Sequence, residues 1–130
     1  MRVIHLDTNF LVAASSTDSV AATCLTNWIR DGVLLSMSSV AWTEFLCGPV
    51  TLAQRQAALV LLSHVEPYQD EDAALAAYLF NCSGRRRGIL VDCMIAAAAI
   101  RAGAALATLN RGDFEPLTAY GLDLALPPHS

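Results

Sequence analysis

The stretch Val3-Ile4-His5-Leu6-Asp7-Thr8-Asn9 decides how the rest of the chain is read. An apolar run too short for an independent helix stops at an aspartate. Two small hydrogen-bonding side chains follow, and a new apolar segment starts at Phe10. This is the pattern of a buried strand turning into a helix. In open parallel sheets, ligands bind in the crevice beyond the carboxyl ends of the strands, and Asp7 would sit over such a crevice. An aspartate in front of a helix also serves as its N-cap. Asp7 alone leaves both readings open.

Working outward, the pattern predicts strand Val3–Leu6, a short helix over 10–14 and a helix Val20–Arg30 capped by Asp18 or Ser19. A second strand over 33–36 follows. Ser38 and Ser39 then cap a helix over 40–47, which Gly48-Pro49 ends. Further helices are expected over 52–62 and 70–81, with a weakly marked strand over 64–68 between them. A glycine-bounded basic loop, Gly84-Arg85-Arg86-Arg87-Gly88, leads into helix Leu90–Ala102, which is apolar on nearly every face and therefore central. A strand over 105–108, a turn at 110–113, a last strand over 122–126 and a frayed tail over 127–130 complete the expectation. Strands alternating with helices give an α/β sandwich with a mostly parallel sheet.

Composition narrows the function. The 130 residues are 55% hydrophobic and 15% charged, which fits one domain over 1–130 with a full core. The most apolar stretch, 89–109, is interrupted by Asp92, Arg101 and Gly103, so no membrane span is expected. No N-terminal signal is visible either. Cys24, Cys47, Cys82 and Cys93 lack paired spacing and read as free thiols of a cytoplasmic protein. His5, His64 and His129 form no motif and read as structural. The net charge of −4 argues against a protein that coats nucleic acid without specificity, and suits an acidic cleft for a cation or a basic partner. All eight basic residues are arginine, which removes the Walker A loop and lysine Schiff-base chemistry.

Most of the 12 acids have a surface explanation. Asp70, Glu71 and Asp72 suit the first turn of a helix, and Glu66, Glu115 and Asp123 border turns or strand edges. Four fit worse. Asp7 ends a buried strand, Glu44 lies in Val40-Ala41-Trp42-Thr43-Glu44-Phe45-Leu46-Cys47, Asp92 sits between Ile89-Leu90-Val91 and Cys93-Met94-Ile95, and Asp113 follows a strand. A charge among apolar residues is costly unless it is paired or bound to a cation. With few arginines to share, convergence on one divalent ion answers the difficulty more simply than four ion pairs. An all-oxygen site suits Mg²⁺ or Mn²⁺. Arg85, Arg86, Arg87, Arg101 and Arg111 all fall in the segment holding Asp92 and Asp113. Arg85 to Arg87 read either as a solvated loop or, with Arg111, as contacts to a phosphate backbone beside the acidic cleft.

Four ordered blocks then resemble a known family: Leu6-Asp7-Thr8-Asn9, Glu44-Phe45-Leu46-Cys47-Gly48, Leu90-Val91-Asp92-Cys93-Met94-Ile95-Ala96-Ala97 and Ala107-Thr108-Leu109-Asn110-Arg111-Gly112-Asp113-Phe114. Together they resemble the PIN domain, specifically the VapC-type toxin ribonucleases of bacterial toxin–antitoxin pairs. The resemblance implies a three-layer α/β/α fold, with Asp7, Glu44 and Asp92 as the acidic triad that holds Mg²⁺ or Mn²⁺. Many relatives carry a fourth aspartate where this chain has Asn110, and others carry it three residues later, here Asp113. Fewer charges imply one firmly held ion rather than two. Thr8, Asn9, Thr108 and Asn110 would hydrogen-bond to the ligands or to their waters. The resemblance also implies a homodimer, an RNA substrate and a VapB-type antitoxin that inserts a segment into the cleft.

Two other classes compete. A haloacid-dehalogenase-type phosphatase also begins with a strand and an aspartate, but needs a second acid where Asn9 stands and a lysine. A non-catalytic PIN-like interaction module would keep the fold, and the intact Asp7, Glu44 and Asp92 count against it.

Overall fold

The computed structural model describes residues 2–125. Strand β1 (Val3–Leu6) is the hub. It pairs in parallel with β2 (Leu34–Ser38) on one side and β4 (Ala105–Ala107) on the other, and β3 (His64–Glu66) extends the sheet from β2. The order is β3-β2-β1-β4, with every pair parallel. The helices are α1 (Thr8–Ala14), α2 (Val20–Arg30), α3 (Ser39–Cys47), α4 (Leu52–Leu61), α5 (Asp70–Cys82), α6 (Leu90–Ala102) and α7 (Arg111–Phe114). Ile4 and Leu6 on one face of β1 and His5 on the other are all buried. Helices therefore cover both faces of the sheet, as an α/β/α sandwich requires.

Local chemistry explains the boundaries. Ser19 and Ser38 accept the Ala22 and Ala41 amides, capping α2 and α3 at 3.0 and 3.1 Å. A capping box of Thr51 and Gln54 opens α4. Phe10 stacks on Trp28 at 5.7 Å between ring centroids and ties α1 to α2. Ala96 to Ala99 of α6 are fully buried, so small side chains let this helix lie close to its neighbours. No helix among the described residues is long and apolar enough to cross a membrane. All four cysteines are free.

Several expectations need correction. The second strand runs to Ser38 rather than stopping at Ser36, and the third ends at Glu66. The expected turn at 110–113 is the start of α7, followed by a 3-10 helix Glu115–Tyr120 that opens on Pro116. The last strand shrinks to one parallel bridge, Leu106 to Leu124. Its final residue and the tail 127–130 lie outside the described residues.

The acids of the α5 first turn are not all surface groups. Asp72 is fully buried. Its Oδ2 accepts the Gln69 amide at 2.9 Å, and its Oδ1 accepts from Arg101 Nε at 2.5 Å. Arg101 also donates to Glu66 Oε2 at 3.2 Å and to the Pro67 carbonyl at 3.1 Å. Arg101 thus serves α5 and β3, not the segment around Asp92.

His5 is structural in an unexpected way. It is 1% exposed and neither ring nitrogen has a hydrogen-bond partner. Burial lowers its pKa to about 4, with nearby His64 and Arg101 adding to the drop and Glu66 and Asp72 opposing it. As pH falls through 6.5 the unfolded chain takes up a proton that the folded protein refuses until about 4, so stability is lost across that window. His5→Leu removes the unpaired nitrogens and is expected to stabilise the protein by about 1–3 kcal/mol at neutral pH. The gap between the variant and the wild type should widen by about 2 kcal/mol on going from pH 7 to pH 5. Chemical denaturation at the two pH values checks both the sign and the widening.

Candidate active site

The backbone leaves β1 at Leu6 and enters α1 at Thr8, so Asp7 stands at the carboxyl edge of the central strand. It is 4% exposed. Asp7 occupies the N-cap position of α1, yet its side chain accepts the adjacent Thr8 N–H at 2.9 Å. A capping side chain takes the amide of the second or third helical residue instead. The other oxygen, Oδ2, accepts the Thr108 hydroxyl at 2.8 Å, and the Asn110 N–H donates to that hydroxyl oxygen at 3.0 Å. A relay from the β4 edge therefore fixes the Asp7 carboxylate. Asn9 locks the same edge, its Oδ1 accepting the Leu109 N–H at 3.3 Å.

Glu44 approaches from α3. The Thr8 hydroxyl lies 3.1 Å from Glu44 Oε1 and 3.0 Å from the Ala41 carbonyl, so one proton serves two acceptors. Asp92 comes from the first turn of α6, and Asp113 from α7. Asp92 is half-buried, whereas Glu44 and Asp113 are exposed. Ala41 and Phe45 carry the buried side of α3, which leaves Glu44 outside it and corrects the expectation of an apolar surrounding.

Electrostatics show that the four acids share one region. Burial raises the Asp7 carboxyl above the usual range, against the Thr108 and Thr8 hydrogen bonds, and Glu44 adds to the rise. Burial, then Asp7, Asp113 and Glu44 in that order, push Asp92 to about 6, and Arg86 pulls it back.

This donor set fits a hard divalent cation: it is all oxygen, of one sign and partly desolvated. The fit is one of chemistry rather than finished geometry. Among the described residues no three His, Cys, Asp or Glu side chains stand close enough to hold one ion.

The candidate phosphate contacts separate. Arg111 makes only a long pair with Glu115 at 3.9 Å. Arg85, Arg86 and Arg87 are all exposed, and of the three Arg86 is the one whose charge acts on Asp92. A feature not anticipated from the residues is an apolar groove of about 710 Å³ that starts at Thr8 and Glu44. It runs between α2 and α4 past Leu25, Phe45, Val50 and Leu61. Its signal lay in the apolar residues of α4, which buries only Ala58.

A parallel α/β/α domain with carboxylates gathered at the carboxyl edge of its central strand defines the class: an acidic cleft on an open parallel sheet. More narrowly, the chain belongs to the PIN domain family, whose model matches residues 4–117. The phosphatase reading falls with that match. No sequence among curated proteins matches the chain. The fold is similar to that of VapBC2 from Rickettsia felis bound to a DNA fragment from its promoter, with a TM-score of 0.75 at 19% identity over 95% of this chain and 97% of that one. It is similar to a toxin–antitoxin complex from Klebsiella pneumoniae, with a TM-score of 0.72 at 22% identity over the whole of both chains. DNA-bound VapBC from Salmonella typhimurium gives 0.70 at 22% identity over 96% and 98%.

Proposed function

We propose that the chain is an endoribonuclease of the VapC type, the toxin of a type II toxin–antitoxin pair, dependent on Mg²⁺ or Mn²⁺. The observation that carries the reading is the placing of Asp7, Glu44, Asp92 and Asp113 in one region at the carboxyl edge of β1, where burial first and then the other three acids push Asp92 to about 6. Carboxylates that repel one another in the folded state create a demand for a cation.

In this reading Asp7 and Asp92 would hold the ion, Asp113 would complete the shell, and Glu44 would act on a metal-bound water or as general base. The bound ion would lower the pKa of a water and offset negative charge on the phosphoryl oxygen. Hydrogen bonds from Thr108 and Thr8 favour the charged form of Asp7 against the effect of burial and hold the carboxylate in place. Glu44, steadied by the Thr8 hydroxyl, accepts a proton from the attacking water. In-line attack by water gives 5′-phosphate and 3′-hydroxyl ends, with no use of the 2′-hydroxyl.

The groove supports the partner. An antitoxin segment of the VapB type would lay apolar side chains between α2 and α4 and bring a basic residue to Glu44, where the groove meets the acidic cleft. We further infer a homodimer acting in the cytoplasm.

Sequencing of RNA ends after expression tests the activity: 5′-phosphate cuts that vanish with the Asp7→Asn variant support the reading, and cuts that persist overturn it. Binding of an ion by the folded state alone must also raise stability. Mg²⁺ or Mn²⁺ at about a hundred times its dissociation constant is expected to raise the melting temperature by about 10 °C. Calorimetric melts that do not move with either ion would remove the metal from the mechanism.

A further inference from the structure

The segment 109–113, which carries Asp113, has no buried side chain of its own. Leu109 is 54% exposed, Asn110, Gly112 and Asp113 are exposed, and Arg111 is half-buried. Packing holds only the two ends, at buried Thr108 beyond β4 and at fully buried Phe114. Helix α7 is four residues long, too short to persist unaided, and no side chain caps it at Asn110.

Hydrogen bonds supply what packing does not. The Asn110 N–H donates to Thr108 Oγ1 at 3.0 Å, and the Asp113 N–H donates to the Asn110 carbonyl at 3.1 Å. With Thr108 donating to Asp7 Oδ2 at 2.8 Å, these bonds run from the Asp7 carboxylate to the Asp113 backbone. One further bond enters from the side. The Leu109 N–H donates to Asn9 Oδ1 at 3.3 Å, across 100 residues of sequence. Among the described residues no other hydrogen bond ties 109–113 to a part of the chain distant in sequence.

The donor also decides which way the Asn9 amide faces. A backbone N–H requires the oxygen, so that oxygen is committed to the loop. The NH₂ that remains is a donor only and cannot ligate a cation. Thr8, the residue before, ties the same first turn of α1 to Glu44 at 3.1 Å. Adjacent residues of α1 thus reach α3 on one side and the approach to α7 on the other.

We propose that Asn9 is a positioning residue for Asp113: by latching the Leu109 amide it holds the start of α7 where the Asp113 carboxylate serves a divalent ion. The inference rests on the metal-nuclease reading above and deepens it to one side chain.

Calorimetric titration of the RNA-free protein with Mn²⁺, beside amide hydrogen exchange followed by NMR, tests it. Asn9→Ala should weaken Mn²⁺ binding about tenfold, as removal of a group that orients a ligand does. Exchange at the Leu109 N–H should quicken about fivefold, while the melting temperature falls by less than about 5 °C. Asn9→Asp keeps an oxygen for that N–H, and should restore both slow exchange and Mn²⁺ affinity. On an Asp113→Asn background, Asn9→Ala should cost less than about twofold further in Mn²⁺ affinity, whereas on Glu44→Gln it should cost its full effect. General damage to the fold would add in full on both backgrounds, and that result overturns the inference. So does Mn²⁺ binding by Asn9→Ala equal to that of the wild type, or a Leu109 N–H whose exchange is unchanged. A wild type that binds Mn²⁺ with this pattern yet leaves RNA uncut supports the inference and sinks the nuclease reading alone. A wild type that binds no Mn²⁺ sinks both.

Discussion

Asp92→Asn is expected to lose RNA cleavage by about a thousandfold or more and, free of metal, to melt above the wild type. Both effects have one cause. The Asp92 carboxyl is pushed to about 6 by burial and by Asp7, Asp113 and Glu44, so its ionised form is disfavoured by the fold. An amide of the same shape removes that charge at little steric cost. Reduced by solvent screening of a half-buried carboxyl, the gain should be about 1–2 kcal/mol at neutral pH. The sign follows from linkage: a carboxyl with a raised folded pKa stabilises the protein when protonated. The metal-free wild type therefore loses stability as pH climbs from about 4 to about 6, and Asp92→Asn loses less, with the raised Asp7 carboxyl still present. Asp7→Asn should lose cleavage equally but gain less stability, because Asp7 accepts hydrogen bonds from Thr8 and Thr108 that an amide satisfies only in part. Activity assays beside metal-free melts check the pair. An Asp92→Asn protein that is less stable than wild type, or that still cuts RNA in EDTA, contradicts the account.

The legible and illegible parts of this chain divide by sequence distance. Val3–Leu6, Val20–Arg30 and Leu90–Ala102 end where their residues say they should, since strand length, a serine cap and Gly103 in the left-handed region are all local signals. Asp92 stood out because an acid among Ile89 to Ile95 needs a reason. Glu44 looked similar, yet Ala41 and Phe45, four apart, already mark the buried side of α3 and leave it outside. Asp72 misled in the other direction. Beside Asp70 and Glu71 it looks like a helix-dipole acid, and its partner Arg101 lies 29 residues on, where no local pattern connects them. The left-handed Arg85 is equally silent, because only the contacts with Phe80 and Asn81 select that conformation.

That hidden pair carries the largest expected stability effect. Arg101→Ala should destabilise the protein by about 3–5 kcal/mol, roughly 10–20 °C in melting temperature, because Asp72 is fully buried and would be left with only the Gln69 amide. Glu66 is hurt less, since its pKa is held down first by the hydrogen bond from His64 and only then by Arg101. Its contribution is present above its ordinary carboxylate pKa and is lost as pH falls below it, in the wild type more than in Arg101→Ala. Arg101→Lys cannot reach Asp72, Glu66 and the Pro67 carbonyl together, and should fall between the two proteins. The double variant Asp72→Asn with Arg101→Met should recover most of the loss, because it removes the buried Asp72 charge together with its half-buried partner while the asparagine oxygen still accepts the Gln69 amide. Melts of the four proteins decide it: Arg101→Ala within about 2 °C of wild type would mean that Asp72 is stabilised by something other than this arginine.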